Sequence, residues 1–297
     1  MKPLLLWFSR QWLKLVNRMG SWSMASRVRA ANFLALIFWI FVPKRRRIML
    51  TNFELCFPQW SQKQREQMAK RCYQKMCRAM LDHGVLWNAS AEQIREFVKI
   101  DEATCQLLQS QNERPLIIIA PHFIGLDAAG VALNTVVRGV SLYQTQSNPV
   151  WDEAVLRGRK RFSDPVLIAK SNASDLRPVI RAMKQGLPFY YLPDMDHGRA
   201  NSIFVPFFGV PAATLPMASR LARLLKAKVV MCIVEMTESG YEVHLSEPWE
   251  NFPTADYEAD TLRVTQELEK WIEKYPDQYM WSHRRFKTRP QGEPSVY

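Results

Sequence analysis

The chain has 297 residues, of which 47% are hydrophobic and 23% charged, a composition typical of a folded globular protein and not of a disordered one. Its net charge of +12 is concentrated at one end, because residues 1–47 contain ten basic residues and no acidic one. This distribution argues against a nucleic-acid-binding domain, which carries its basic excess on the folded body. The five cysteines form no C-x-x-C pair, so we predict neither a disulfide framework nor a zinc site, and cytosolic chemistry fits best.

The amino-terminal segment predicts association with a membrane. Residues 3–19 place apolar and basic side chains on separate stripes, the pattern of a helix lying in a membrane interface; the alternative is an amphipathic helix packed on the core. Residues 30–42 are almost all apolar, but as a helix they reach only roughly 20 Å, against about 30 Å of hydrocarbon. We therefore expect a monotopic or partly inserted anchor in residues 1–47, with the basic run at 44–47 on the cytoplasmic side, and an α/β domain in residues 48–297.

The rest of the chain alternates between strand and helix patterns. Ser61 and Gln64 have the spacing of a capping box, which predicts a helix from there to about Trp87. Short aliphatic runs then alternate with amphipathic segments, as in a parallel sheet with crossover helices. The predicted fold class is α/β, with a single mixed, mostly parallel sheet flanked by helices. The predicted strands are 116–120, 140–143, 166–169, 189–192, 228–234 and 241–245; the predicted helices are 127–138, 151–162, 175–185 and one that ends at Leu225; residues 206–214 are predicted as a loop.

A histidine and a carboxylate follow the first of these strands. His122 comes directly after the aliphatic run and Pro121, and Asp127 is five residues further on. In α/β proteins the carboxyl ends of strands form the ligand-binding edge, and a carboxylate can fix the tautomer of a catalytic imidazole. We predict that His122 is a general base and Asp127 its orienting partner, with Gly125 allowing a tight turn between them. The alternative is an ordinary hydrogen-bonded loop histidine.

A second polar cluster follows another predicted strand. Asp194, Asp196 and His197 come after residues 189–192, and neighbouring strands would bring them to the same edge as His122. These three side chains, together with His122 and Asp127, could instead hold a metal ion, but their spacing matches no known metal motif. A serine hydrolase is disfavoured because the chain contains no G-x-S-x-G sequence.

Arginines supply candidate anion-binding groups. Arg159 lies in a basic helix, and the tail at residues 281–289 mixes aromatic and basic residues. A guanidinium binds phosphate or carboxylate through a planar fork, so both segments suit an anionic headgroup or an acidic carrier protein. The alternative is that they form a solvated, charged face.

Several longer motifs resemble one protein family. The block Pro121 to Asp127 resembles the H-x4-D/E motif of membrane-bound glycerolipid and lipid A acyltransferases. The longer motifs are similar to those of the late (secondary) acyltransferases of lipid A biosynthesis from about residue 45 to the carboxyl end. They are Arg45-Arg46-Arg47, Asn52-Phe-Glu-Leu-Cys-Phe-Pro58, Gly158-Arg159, Tyr191-Leu-Pro-Asp-Met-Asp-His-Gly-Arg199, Phe204-Val-Pro-Phe-Phe-Gly209 and Trp281-Ser-His-Arg-Arg-Phe-Lys-Thr-Arg-Pro290.

The resemblance implies an activity and a location. It implies acyl transfer from acyl carrier protein to a hydroxyl of a Kdo-lipid A precursor, at the cytoplasmic face of the inner membrane of a Gram-negative bacterium. We expect no cofactor, metal or nucleic-acid partner. His122 and Asp127 match the family's base and acidic partner. The alternatives are a phospholipid or aminolipid acceptor, or a non-catalytic, membrane-peripheral lipid-binding protein. The predicted substrate-binding residues are Arg159, Asp194, Asp196 and Arg199, and Phe204, Phe207 and Phe208 are expected to line an acyl pocket.

Overall fold

The computed structural model describes residues 3–109, 115–169 and 175–297, and within them eleven helices and nine strands. The helices are α1 Pro3–Met19, α2 Met24–Phe41, α3 Pro43–Cys56, α4 Gln62–Leu86, α5 Ala91–Phe97, α6 Glu102–Gln109, α7 Leu126–Leu133, α8 Pro149–Arg159, α9 Arg177–Lys184, α10 Met217–Leu225 and α11 Tyr257–Lys274. The strands are β1 Val98–Ile100, β2 Leu116–Ile119, β3 Val140–Tyr143, β4 Val166–Ala169, β5 Phe189–Tyr191, β6 Ile203–Phe207, β7 Val210–Thr214, β8 Lys228–Met236 and β9 Tyr241–Leu245.

Seven strands form one mixed sheet in the order β1-β9-β8-β2-β5-β3-β4. The strands from β8 to β4 are mutually parallel, whereas β9 runs antiparallel to β8 and pairs in parallel with β1. Helices flank this sheet, so the predicted α/β class with a mostly parallel sheet is confirmed. The chain leaves β2 and β5, which are neighbours, at the same edge, where α/β sheets place their ligand sites.

β2 lies at the centre of the sheet. Its four residues, the aliphatic run Leu116 to Ile119, are all buried, as expected for a parallel strand covered by helices on both faces. The strand pairs with β8 on one side and β5 on the other. The next residues, Ala120 and Pro121, continue the buried path toward His122.

The predicted loop at residues 206–214 is wrong, because most of this segment belongs to an antiparallel hairpin of β6 and β7. Phe208 and Gly209 make the turn with φ angles of 50° and 78°, the left-handed pair that a two-residue hairpin requires. Pro206 and Pro211 lie opposite each other in the hairpin. The pair stands as its own two-stranded sheet, in which both strands are edges and tolerate proline.

Helix α4 joins the amino-terminal helices to the body. It begins at Ser61, whose side chain and that of Gln64 form the predicted capping box. Arg27 of α2 donates to Asp82 of α4 at 2.9 Å, and both side chains are buried. Gly20 and Gly84 approach so closely that a side chain on either would collide with the opposing backbone. The predicted domain boundary at residue 47 falls inside α3, and a division there stays a prediction.

The outer side of α1 and α2 exposes large apolar side chains. Val16 and Met19 of α1, like Ala31 of α2, are buried on the inner side. Helix α2 has 18 residues and a mean hydropathy of 1.3, long and apolar enough to cross a membrane by length and composition. The exposed apolar residues of this segment are Leu4, Leu5, Trp7, Phe8, Leu15, Trp22, Phe33, Leu36, Ile40 and Phe41.

Candidate active site

His122 and Asp194 meet at the edge where β2 and β5 end. The His122 Nδ1 atom lies 2.7 Å from Oδ1 of Asp194, and the backbone N–H of His122 donates to Oδ2 at 2.9 Å. The Asp194 side chain is only 1% exposed, and that of His122 is 14% exposed. Because a carboxylate accepts hydrogen bonds, Nδ1 carries the hydrogen and the lone pair of the neutral imidazole lies on Nε2. The expected convergence of the two strand ends is therefore confirmed.

The structure gives Asp127 a different partner from the one the sequence predicted. Its Oδ1 accepts from Nε and Nη2 of Arg159 at 3.1 and 2.6 Å, and its Oδ2 lies 3.3 Å from Nε2 of His83. Asp127 falls in the first turn of α7, from which it reaches α4 and α8. The expectation that Asp127 orients His122 is corrected, because Asp194 makes that contact with His122.

Two glycines allow this arrangement by lacking a side chain. Gly158 precedes Arg159, and a Cβ atom there would collide with Trp87 at the end of α4. Helix α8 can thus approach α4 closely enough for Arg159 to reach Asp127. Gly125 has an ordinary φ of −81°, and a Cβ atom there would press on the ring of Tyr241, so it serves close packing and not the predicted tight turn.

His83 is the third side chain of the group around Asp127. Its Nδ1 lies 2.8 Å from the carbonyl oxygen of Ala79, one turn earlier in α4. The Ala79 carbonyl oxygen and the Asp127 carboxylate can only accept hydrogen bonds. Both contacts of His83 are therefore hydrogen bonds at the same time only when both of its ring nitrogens carry a hydrogen. The side chains of His83, Asp127 and Arg159 are each partly exposed, at 20%, 34% and 28%, so this group faces an opening.

Both carboxylates are held in the ionised form. Burial opposes ionisation of Asp194, but the charge and hydrogen bonds of His122 outweigh it, and the pKa of Asp194 lies well below its usual range. Burial opposes ionisation of Asp127 too, and the nearby Arg159 charge and the His83 hydrogen bond lower the pKa of Asp127 well below normal. Each carboxylate can therefore act as a fixed negative charge at neutral pH.

A second histidine lies near Asp194. His283 is 7% exposed, and its Nδ1 lies 2.8 Å from the carbonyl oxygen of Met280. Burial lowers the pKa of His283 to about 4, with Asp194 acting in the opposite direction, so this imidazole is neutral at physiological pH. Its Nε2 is buried and has no hydrogen-bond partner within the described part of the chain.

Asp196 and Arg199 contact the carboxyl-terminal tail. Asp196 accepts from the backbone N–H and hydroxyl of Thr288 at 2.6 and 2.8 Å and from the Gly198 N–H at 2.9 Å. Arg199 donates to the carbonyl oxygen of Arg289 at 2.7 Å. These contacts fix the loop that carries Asp194, and the predicted substrate contacts of Asp196 and Arg199 stay predictions.

The tail itself is partly core. Arg285 is 2% exposed and donates to the Ala213 carbonyl and the Thr214 hydroxyl at 2.8 and 2.7 Å, which ties the tail to β7. Trp281 and Phe286 are fully buried. The alternative of a uniformly solvated face is therefore wrong for these three residues.

A cavity of about 90 Å³ lies between α7 and the sheet, beside the Asp127–Arg159 pair. Pro188 precedes β5 and Leu192 follows it, so the lining spans about 13 Å at roughly 3.3 Å per strand residue. Most of the wall is aliphatic. The lining residues are Ile118, Leu126, Asp127, Gly130, Leu133, Asn134, Val137, Gly139, Val140, Ser141, Leu142, Arg159, Pro165, Leu167, Pro188, Tyr190 and Leu192.

The phenylalanines predicted to line an acyl pocket lie elsewhere. Phe204, Phe207 and Phe208 are absent from the lining of this cavity. Phe207 and Phe208 instead pack with Trp281, in an aromatic cluster that supports the hairpin. Large apolar side chains occur both in pocket linings and in core clusters, so the residue type alone does not separate the two.

The residues of the proposed alternative metal site do not form a common ligand set. Asp127 faces a guanidinium cation, and Asp196 is bonded to Thr288. Among the described residues, the group whose ligand atoms lie within 4.8 Å of one another is Glu235, Glu242 and His244, on β8 and β9. It lies on different strands from those that carry His122 and Asp194.

Comparison with known proteins gives consistent matches over nearly the whole chain. The family model described as "Bacterial lipid A biosynthesis acyltransferase" matches residues 3–288. The lipid A biosynthesis lauroyltransferase of Escherichia coli is 32% identical over 261 residues, covering 86% of this chain and 84% of the relative. The palmitoleoyltransferase of the same organism is 31% identical (86% and 83% covered), and its myristoyltransferase is 29% identical (85% and 78%).

Proposed function

This chain belongs to the bacterial lipid A biosynthesis acyltransferase family, and we propose that it transfers a fatty acyl chain from acyl carrier protein to a hydroxyl of a Kdo-lipid A precursor. The relatives are named for the transfer of lauroyl, myristoyl and palmitoleoyl groups in lipid A biosynthesis. The observation that carries the proposal is the His122–Asp194 contact, at the sheet edge that also holds the Asp127–Arg159 pair and the aliphatic cavity.

His122 acts as the general base. Asp194 accepts the Nδ1 hydrogen, which leaves the Nε2 lone pair for the proton of the acceptor hydroxyl. As the O–H bond breaks, the ionised Asp194 stabilises the imidazolium that forms. A base held and charged in this way contributes about 10²- to 10⁴-fold to the rate.

The acceptor oxygen attacks the thioester carbonyl directly. The new C–O bond forms, the C–S bond breaks, and the proton on His122 passes to the leaving thiolate of the carrier protein. Arg159 stabilises the negative charge that develops on the carbonyl oxygen, and Asp127 positions its guanidinium. Backbone N–H groups at the start of α7 are rival donors. No covalent acyl-enzyme is needed.

The aliphatic cavity accommodates the acyl chain. Its lining includes Asp127 and Arg159 and continues along α7 and β5 between aliphatic side chains. An apolar cavity beside a polar edge suits a thioester whose carbonyl stays at the edge while the chain is buried.

The amino-terminal helices hold the enzyme on the cytoplasmic face of the inner membrane. Their exposed apolar side chains can enter the interface, and their lack of acidic residues suits anionic lipids. Arg157 and Lys160, on either side of Arg159, are exposed. Such cations attract an acidic carrier protein by electrostatic steering, which weakens as salt is added.

The proposal is tested with purified protein, acyl carrier protein loaded with a fatty acid, and a Kdo-lipid A precursor, with products measured by mass spectrometry. The wild-type protein should add the mass of one acyl chain to the precursor. His122→Ala should lower the transfer rate by at least about 10²-fold, because the base is removed.

His244→Ala is the matched control, because His244 lies on β9 and contacts Glu235. It should transfer at close to the wild-type rate. Normal transfer by His122→Ala would refute the mechanism. Acylation of a phospholipid or aminolipid, and not of the lipid A precursor, would refute the proposed acceptor. Lipid binding without any acyl transfer would indicate a non-catalytic protein.

A further inference from the structure

A groove of about 240 Å³ lies between α1 and α8. Its lining shares no residue with that of the aliphatic cavity. Asn148, just before α8, donates to the hydroxyl of Ser9 in α1 at 2.7 Å, which joins the two helices beside the groove. The side chains that matter for its chemistry come from both helices: Leu6, Arg10, Leu13, Val150, Glu153 and Arg157.

Three charged side chains line the groove, and none of them is paired within the described part of the chain. Arg10, Glu153 and Arg157 form no ion pair and no side-chain hydrogen bond there. Glu153 and Arg157 are four residues apart on α8, a spacing at which opposite charges often pair, yet these two do not. All three side chains are exposed, so a ligand in the groove can reach them.

The groove lies beside the apolar surface of the proposed anchor. Trp7 is exposed and is three residues from Arg10, so the two are neighbours on α1. When the exposed apolar side chains of α1 enter the membrane interface, the groove lies at the depth of the lipid headgroups. Leu6, Leu13 and Val150 add apolar wall that suits the first carbon atoms of a lipid chain.

The charges fit a headgroup that carries both a phosphate and a primary ammonium. Guanidinium groups donate charge-assisted hydrogen bonds to phosphate, and a carboxylate accepts the hydrogens of an ammonium. A purely anionic occupant, such as an acidic carrier protein, would meet the like charge of Glu153. The volume is below the roughly 300 Å³ at which pockets for whole small ligands begin, so it suits a headgroup and not an entire lipid.

We propose that this groove binds the phosphoethanolamine headgroup of a membrane phospholipid, with Arg10 and Arg157 on the phosphate and Glu153 on the ammonium. This inference rests on the membrane anchoring proposed above. The bound lipid is an anchor and not the acyl acceptor, because His122 is not part of the groove. It holds α8, the helix that carries Arg159, at the membrane surface.

The first test measures the sedimentation of full-length protein with two kinds of vesicle. Both contain the same fraction of phosphatidylglycerol, and the remainder is phosphatidylethanolamine or phosphatidylcholine, whose quaternary ammonium has no hydrogen to donate. Wild-type protein should bind the phosphatidylethanolamine vesicles about three- to tenfold more tightly, as expected for a charge-assisted hydrogen bond at an exposed site. Glu153→Gln should bind both equally. Glu273→Gln on α11 also removes an exposed negative charge and should keep the preference.

The second test locates the lipid on the protein. Phosphatidylethanolamine with a photoreactive diazirine near the glycerol end of one chain is placed in the vesicles, and cross-linked peptides are identified by mass spectrometry. Cross-links should fall on residues 6–13 and 149–157. Relative to cross-links on residues 33–41, they should drop about three- to tenfold in Arg10→Gln and Arg157→Gln. Arg29→Gln on α2, outside the groove, removes the same charge from the amino-terminal segment and should keep the wild-type ratio.

The outcomes separate this site from the anchor and from acyl transfer. Equal binding of both vesicles by wild type, or a preference that Glu153→Gln keeps, overturns the headgroup site even when the protein binds vesicles and acylates lipid A. Groove cross-links that acyl carrier protein or the Kdo-lipid A precursor displaces would assign the groove to a substrate and overturn the phospholipid. A protein that binds neither vesicle refutes the anchor together with this site. A preference lost in Glu153→Gln, without acylation of the precursor by wild type, supports the site and refutes the proposed acyl transfer.

Discussion

Replacing Gly130 with leucine should shorten the acyl chain that the enzyme transfers. Gly130 lies in α7, three residues after Asp127 and therefore on the same helical face, which lines the aliphatic cavity. Apart from α7 itself, no described residue lies within 4 Å of a Cβ atom built on Gly130. A leucine side chain would therefore project into open cavity space and take up room that the acyl chain would otherwise fill.

The substitution should leave the fold intact or stabilise it. Removing a glycine from a helix interior contributes about 1 kcal/mol, and burial of a leucine side chain contributes about 1.5 kcal/mol or more. A net gain of about 2 kcal/mol would raise the melting temperature by about 3 °C in a chain of this size. A change in product can then be attributed to the cavity and not to misfolding.

The assay offers the enzyme an equal mixture of carrier proteins loaded with chains of different length, and mass spectrometry reports which chain is transferred. Gly130→Leu should favour chains shorter by about two to four carbons than wild type, because added wall atoms exclude terminal methylenes from a close-packed site. Gly130→Ala should give a smaller shift in the same direction. Leu167→Ala, which enlarges the same cavity, should favour longer chains.

An unchanged chain preference in a stably folded Gly130→Leu protein would refute the assignment of this cavity to the acyl chain. A uniform loss of all products, with a lower melting temperature, would refute the packing argument. Opposite shifts for Gly130→Leu and Leu167→Ala cannot come from general damage to the fold, so the pair provides the decisive comparison.

Three further predictions concern the base, acid stability and the membrane. Asp194→Asn should lower kcat about 10²- to 10⁴-fold in the transfer assay with a normal melting temperature, because the imidazole loses its orienting charge; a wild-type kcat would contradict this. His283 is neutral in the folded protein, so the unfolded chain binds one more proton, and the free energy of unfolding should fall by about 3 kcal/mol as the pH drops from 6.5 to 4. Urea unfolding of His283→Gln should show a smaller fall over the same pH range, and an equal fall would exclude His283 as its cause. Phe33 and Phe41 are 66% and 75% exposed, and replacing each with serine should weaken sedimentation with anionic vesicles by about tenfold per residue. Leu224→Ser on α10, where the leucine is 64% exposed, is the control and should bind vesicles like wild type. Wild-type vesicle binding by the Phe33 and Phe41 variants would refute the anchor.

Much of the sheet was predictable because each central strand has a local signal. The aliphatic run of β2 is bounded by prolines and fully buried, and β3 and β4 have the predicted bounds. Strand β1, three residues long, has no such signal and forms only because β9 offers it a partner. The hairpin of β6 and β7 was missed because its prolines and glycine suggested a loop, whereas its pairing depends on contacts that appear after folding.

The candidate site was predicted in its members but not in its pairing. His122, Asp127, Arg159 and Asp194 all lie at one edge of the sheet, as their positions after strands or within the following helices indicated. Which carboxylate meets which base depends on side-chain direction in the first turn of α7, and spacing along the chain does not specify it. His83 carries no local signal, because its sequence context resembles that of any helical histidine.

The spacing from His122 to Asp127 acquires a physical reason from this geometry. An acidic residue in the first turn of α7 interacts favourably with the helix dipole, and from there Asp127 reaches both α8, through Arg159, and α4, through His83. Helix α4 packs against α1 and α2, whose outer sides expose the apolar residues of the proposed anchor. Asp127 therefore links the amino-terminal helices, through α4, to the edge of the sheet where His122 lies. A separate carboxylate, Asp194, contacts His122, so this edge of the sheet holds two ionised aspartates with different partners.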